Sequence, residues 1–152
     1  MKQAYLAFGS NIGEPGQNVL AAWDALKLVP GVRPVVLSGL YVTKPWGYLD
    51  QPDFVNACGL VETDLSPEAL LGVCLGLEAG MGRVRTIKNG PRIIDIDLLL
   101  YEGEARDTRE LILPHPRMWE RTFVLEPLAE ITEGTPLGQK VKKALISLED
   151  RS

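Results

Sequence analysis

Apolar residues recur along this chain in two rhythms, one of period two and one of period near 3.6, and the switches between them mark its elements. Ala4 to Phe8 reads as a first strand, followed by a turn at Gly9-Ser10-Asn11-Ile12-Gly13. From about Pro15, Val19, Ala22, Trp23 and Leu26 recur at helical spacing, and Pro30-Gly31 stops that helix. Val35 to Val42 and Phe54 to Val61, rich in Val, Leu and aromatics, predict two further strands. The connection from Thr43 to Asp53 is longer than a hairpin needs, and loops of that kind are often functional. Ser66 followed by Pro67 predicts a capped helix start, with Leu70, Cys74, Leu77 and Met81 as its apolar face and Gly80 and Gly82 at its end. A last strand is expected from about Ile93 to Tyr101, then a short arm, a helix near Pro116 to Arg121 and a final helix from about Leu137 to Leu148 that covers one end of the sheet. The order strand, helix, strand, strand, helix, strand predicts an α+β fold, the ferredoxin-like βαββαβ sandwich: an antiparallel sheet with helices on one face, and here a C-terminal helical extension.

Composition narrows the classes. With 152 residues of which 45% are hydrophobic, the chain can bury one sizeable core, so residues 1–152 are expected to form a single domain. A net charge of -4 argues against nonspecific nucleic-acid binding, which rests on phosphate neutralisation. The N-terminal apolar run is too short for a signal peptide and no segment approaches the length of a membrane span, so no membrane partner and a cytoplasmic location are expected. Cys58 and Cys74 sit in apolar segments with no metal or redox motif and are expected to be buried free thiols.

Candidate chemistry concentrates in the last strand. Asp95 and Asp97 interrupt a run otherwise apolar enough for a core, and period two turns both carboxylates to one face, roughly 6.6 Å apart. Two bare charges at that distance repel by about 2.5 kcal/mol at an effective dielectric of about 20. A bound cation reverses the sign. The opposite face, Ile94, Ile96, Leu98 and Leu100, is expected to anchor the strand. A solvated polar edge would explain an isolated Asp-x-Asp equally well, but Arg83, Arg85, Lys88 and Arg92 lie immediately upstream with no acid among them. Cations beside an oxygen-only cation site suggest a polyphosphate ligand and a hard ion such as magnesium. No glycine-rich nucleotide loop of either common type is present, so phosphate binding falls to arginines and the metal. His115, the one histidine, lies between two prolines and ahead of Arg117 and Arg121, which suits a phosphate contact.

Six ordered blocks together carry a resemblance. Phe8-Gly-Ser-Asn-Ile-Gly13, Tyr41-Val-Thr43, Gln51-Pro-Asp-Phe-Val-Asn56, Glu78 with Gly82-Arg-Val-Arg85, Gly90-Pro-Arg-Ile-Ile-Asp-Ile-Asp97, and Pro114-His-Pro-Arg117 through Arg121-Thr-Phe-Val124 resemble the 6-hydroxymethyl-7,8-dihydropterin pyrophosphokinases of folate biosynthesis, from about residue 3 to residue 131. The resemblance implies transfer of the terminal diphosphate of ATP to the pterin hydroxymethyl group with release of AMP, and two magnesium ions on Asp95 and Asp97. It implies that Arg92, His115 and Arg121 contact the ATP phosphates and that Arg83 and Arg85 lie on a loop closing over the substrates. It also implies that Phe54 and Phe123 stack on the pterin, while Thr43, Pro45 and Asn56 read its edge. Asn89 stands where relatives often carry an aromatic over the pterin, with Trp46 as the candidate replacement. The expected partners are these small molecules, and the expected state is a monomer. A nucleotide-binding module without catalysis and another magnesium-dependent nucleotidyl transferase are the rival readings.

Overall fold

Alternation along the first strand, β1 (Lys2–Ser10), buries Ala4, Leu6, Phe8 and Ser10 on one side and turns Tyr5, Ala7 and Gly9 to the other. The computed structural model describes residues 1–45, 49–82 and 91–150. In order after β1 come α1 (Pro15–Leu26), β2 (Val32–Leu37), β3 (Tyr41–Thr43), β4 (Phe54–Thr63), α2 (Pro67–Gly80) and β5 (Asp95–Tyr101). A two-stranded arm, β6 (Arg106–Asp107) and β7 (Ile112–Leu113), leads to a single 3-10 turn at Met118–Glu120, then α3 (Thr122–Thr132) and α4 (Pro136–Glu149).

The main sheet has the order β2-β4-β1-β5, with β3 also on β4, and every pairing is antiparallel. Taken as one interrupted strand, β2 and β3 complete the strand order of a ferredoxin-like sandwich. The α1 and α2 helices cover one face, with Val19, Trp23, Leu26, Leu70 and Cys74 packed on Leu6, Phe8, Val61, Ile94 and Ile96. The expected α1 face is buried throughout, and Ser66 caps α2 by accepting from the Ala69 N–H at 3.1 Å. The C-terminal extension, expected at one end of the sheet, instead lies across the opposite face, because Val124, Leu125, Leu128 and Val141 pack with Cys58, Leu99 and Met118. No helix among the described residues is long and apolar enough to cross a membrane.

Three local expectations change. The strand expected over Val35 to Val42 is broken at Ser38-Gly39-Leu40, because the buried Ser38 hydroxyl accepts from the Cys58 N–H at 2.9 Å and takes over a ladder position. In β5 the register shifts between Tyr5 and Leu6 of β1, so Leu98 faces Leu6 while Leu100 faces Tyr5. Leu100 therefore leaves the anchoring face assigned by strict alternation and packs with the second cluster, and Tyr101 takes the α1–α2 side. The helix expected near Pro116 to Arg121 is only the short 3-10 turn, and the true helix is α3, which carries Pro127 in its interior. That proline removes a bond toward the Phe123 carbonyl, yet burial of Val124, Leu125 and Leu128 holds the helix together.

The sheet makes room for α1 at one glycine. A Cβ on Gly59 would lie 2.4 Å from Trp23 Cζ3, and the indole is itself held edge-on by Phe8, ring centroids 6.0 Å apart. Gly59→Ala is expected to lower the urea midpoint by the equivalent of about 1–3 kcal/mol with an unchanged slope, as for an overpacked core.

Candidate active site

The site grows from cross-strand register. Gly9 lies opposite Asp95 on one side and Asn56 on the other, and Ala7 lies opposite Asp97 and Cys58. Directly opposed residues share a face, so two small residues form a floor between the two carboxylates of β5 and the amide of β4. A Cβ on Gly9 would come 3.3 Å from Asn56 Oδ1 and fill that floor. Asn56 in turn donates from Nδ2 to Thr43 Oγ1 at 2.6 Å, which fixes the orientation of its amide. From the helical layer, Arg121 and Phe123 enter at the start of α3, the guanidinium 5.6 Å from the ring centroid.

The result is a cavity of about 90 Å³ walled by Thr43, Phe54, Asn56, Arg92, Asp95, Asp97, Arg121 and Phe123. A second, larger groove of about 380 Å³ runs beside it, walled by Leu71, Glu78, Arg109 and His115 and again by Asp95 and Asp97. The two hollows share both aspartates. Of the residues singled out in the sequence, Pro45 lines neither hollow, and Arg83, Arg85, Lys88, Asn89 and Trp46 lie outside the described residues.

Burial pushes the Asp97 carboxyl above the ordinary aspartate range, and the Asp95 charge adds to the shift, while His115, Arg121 and Arg92 pull the other way. A carboxyl raised in the folded state loses stability as pH climbs from its unfolded value through its folded one. Ionising Asp97 in the folded protein therefore carries a net cost that the neighbouring cations only partly offset. Asp95 is treated differently: Arg92 Nη1 donates to its Oδ2 at 2.7 Å, with both side chains mostly covered. Arg92 Nε, by contrast, is buried with no hydrogen-bond partner among the described residues. Burial also lowers the His115 pKa, helped by Arg121 and Arg117 and opposed by Asp97, so the ring is neutral at neutral pH. Its Nδ1 accepts from the Arg117 N–H at 3.3 Å, leaving the proton on Nε2 as a donor. Burial likewise lowers the Arg121 pKa, but a guanidinium stays charged.

Among the described residues no set of three His, Cys, Asp or Glu side chains could enclose a metal. Two carboxylates without nitrogen or sulfur donors suit a hard ion that completes its shell from water and ligand phosphate, as magnesium does. The cost at Asp97 is relieved by such a charge. Asp95 and Asp97 therefore fit that ion.

The family described as 7,8-dihydro-6-hydroxymethylpterin-pyrophosphokinase matches residues 5–133. The chain belongs to that family. It is 47% identical over 150 residues to the 2-amino-4-hydroxy-6-hydroxymethyldihydropteridine pyrophosphokinase of Methylorubrum extorquens, covering 98% of this chain and 95% of the relative. The Pseudomonas aeruginosa protein of the same name is 41% identical over 86% of this chain and 81% of its own length. Folic acid synthesis protein fol1 of Schizosaccharomyces pombe is 44% identical over 86% of this chain, which spans only 18% of that longer protein. Among solved structures, an HPPK-DHPS in complex with substrates superposes with a TM-score of 0.68 at 15% identity, covering 98% of this chain and 44% of that one. At that identity the likeness concerns the fold.

Two residues that stand in the resembling blocks, but were assigned no role there, hold the pyrophosphokinase site together. Asn11, buried in the turn after β1, accepts from the Arg92 N–H at 2.8 Å and donates to Gln51 Oε1 and the Pro52 carbonyl at 2.8 and 2.9 Å. It thereby joins three segments distant in sequence, which a turn motif does not announce. Glu78, buried in α2, accepts from the Ile96 N–H at 2.7 Å, between the two aspartates on the free edge of β5. Its signal was present: Leu70, Cys74 and Glu78 follow each other at helical spacing, so an acid interrupts an apolar stripe. On the same strand the Leu99 carbonyl accepts from the His115 N–H at 2.9 Å, which brings the histidine to the aspartates.

Proposed function

We propose that this protein transfers the terminal diphosphate of ATP to the hydroxymethyl group of 6-hydroxymethyl-7,8-dihydropterin, releasing AMP, in folate biosynthesis. The observation that carries the reading is the meeting of two hollows at one pair of carboxylates. The smaller one suits a planar heterocycle: two phenyl rings for its faces, and the amide of Asn56 with the Thr43 hydroxyl for a donor and acceptor edge. The larger one suits a nucleotide whose phosphates reach Arg92, His115 and Arg121. Pro45, placed by the family resemblance, belongs beside the pterin edge.

In the reaction the hydroxymethyl oxygen attacks the β-phosphorus, the bond from that phosphorus to the α–β bridging oxygen breaks, AMP leaves with the bridging oxygen, and the hydroxyl proton goes to solvent. Such transition states are loose, so alignment and charge neutralisation supply most of the acceleration. In this reading Asp95 and Asp97 would hold two magnesium ions, which when bound would supply charge neutralisation at the phosphate oxygens and a lower hydroxyl pKa. Arg92 is anchored through Asn11 and Asp95 and keeps its fork at the junction. Neutral His115 donates from Nε2, and Arg83 and Arg85 bring further charge once the substrates are bound. The enzyme is read as a monomer, with both hollows lined from one chain. It works in the cytoplasm, where thiols such as the buried Cys58 and Cys74 stay reduced.

Incubation with ATP, magnesium and the reduced hydroxymethylpterin tests the reading through the nucleotide product. AMP is expected. Pyrophosphate release indicates a nucleotidyl transferase, and ATP that binds but persists indicates a binding module. For the smaller hollow, Phe123→Ala is expected to weaken pterin binding about thirtyfold, roughly 2 kcal/mol, with ATP affinity unchanged. Equal pterin affinity in a titration of that variant removes the stack.

A further inference from the structure

Glu130 lines neither hollow, yet its carboxylate joins α3 to the sheet edge through three hydrogen bonds. The Gly39 N–H donates to both of its oxygens at 3.1 Å, and the Tyr41 hydroxyl donates to Oε1 at 2.7 Å. Gly39 belongs to the break after β2 and Tyr41 opens β3. Thr43 of β3 and Phe123 and Val124 of α3 line the smaller hollow from two sides. Seven residues before Glu130, two turns back on the same side of α3, stands Phe123. Two residues after Tyr41 stands Thr43, which holds Asn56.

The strand at this wall needs a second tie. It is three residues long and, among the described residues, pairs only with β4, through Tyr41 with Asn56, Val42 with Val55 and Thr43 with Phe54. A strand that short has little hold on its own position. A flat ring between two others leaves little slack, since a gap of about 0.5–1 Å forfeits a quarter to a half of a dispersion contact.

We propose that Glu130 is a positioning residue that fixes the separation between α3 and β3, and with it the width of the slot between Phe123 and Phe54 that selects a planar bicyclic ring. This rests on the reading of that slot as the pterin site. The bond to Glu130, followed by partial burial, raises the Tyr41 phenol to about 12, so the tie is intact at any physiological pH. Neither residue touches the proposed reacting groups.

The test is equilibrium binding of the reduced hydroxymethylpterin, with magnesium and a non-hydrolysable ATP analogue present, to wild type, Glu130→Gln, Glu130→Ala, Tyr41→Phe and the Glu130→Ala/Tyr41→Phe double variant. Glu130→Ala is expected to raise the pterin Kd about tenfold, with the analogue Kd within about twofold and kcat at saturation within about threefold. Glu130→Gln, which keeps an acceptor, should recover most of the loss, and the double variant should bind no worse than Glu130→Ala alone. A pterin Kd unchanged in Glu130→Ala overturns the inference, and so does a parallel loss of pterin affinity, analogue affinity and Tm. Wild-type protein that does not bind the pterin overturns the site reading and this inference with it, whereas binding by wild type with an indifferent Glu130→Ala overturns the inference alone.

Discussion

Asp97→Ala is expected to lower turnover by about three orders of magnitude, a barrier increase of about 4 kcal/mol. The size follows from position. Asp97 lies in the wall common to both hollows and is the carboxylate that the fold leaves in electrostatic debt, while Asp95 is already engaged by Arg92. Removing it takes away the charge on which a cation at the junction would most depend. The stability effect should have the opposite sign: deleting a covered acid beside another acid relieves repulsion, so the metal-free variant should melt no lower than wild type. Steady-state rates across a magnesium titration, with a melting curve for each protein, check both halves. Near-normal turnover at saturating magnesium removes the aspartates from the mechanism, and a large fall in Tm makes Asp97 a structural residue.

Arg92→Ala is expected to reduce kcat/KM by about a hundredfold, roughly 2.7 kcal/mol. This side chain donates to Asp95 from Nη1, and its buried Nε finds no acceptor among the described residues, an arrangement that costs stability unless a ligand or water uses it. Anchored through its own N–H to Asn11, the guanidinium is held before substrate arrives, the condition under which an electrostatic contact is worth most. Arg92→Lys should recover little, because an ammonium cannot engage Asp95 and a phosphate together in one plane. Initial rates with ATP varied at saturating pterin measure the effect. A change below about threefold would make the Arg92–Asp95 pair a structural tie of the modest value common to partly exposed ion pairs.

How much of this was legible depended on the range of the interaction. The strand and helix order followed from local patterns, as did the Ser66 cap and the buried α1 face. Period two placed Asp95 and Asp97 together correctly. The reading failed where long-range contacts overrode local rhythm: Leu98, Leu99 and Leu100 are identical residues, so nothing among them marks the bulge that sends Leu100 to the other face. Pro127 hid α3, whose stability comes from what it covers. Ser38 looked like one polar residue inside a strand, and its role in breaking that strand depends on Cys58, twenty residues on. In the site, the resemblance named Phe54 and Phe123, but only the packing of α3 across the second face brings them to one slot. Asn11 lies in the first resembling block, but its ties, like those of Glu130, stayed illegible because their partners are far away in the chain.

The central claim is that a two-phosphate unit crosses from one hollow to the other at Asp95 and Asp97. ATP labelled at its β-phosphorus, incubated with magnesium, the reduced hydroxymethylpterin and enzyme, tests it in one measurement. The account predicts that the label leaves the nucleotide and appears on the pterin in step with AMP. Label retained in ADP, or released as pyrophosphate while the pterin stays unlabelled, would contradict it.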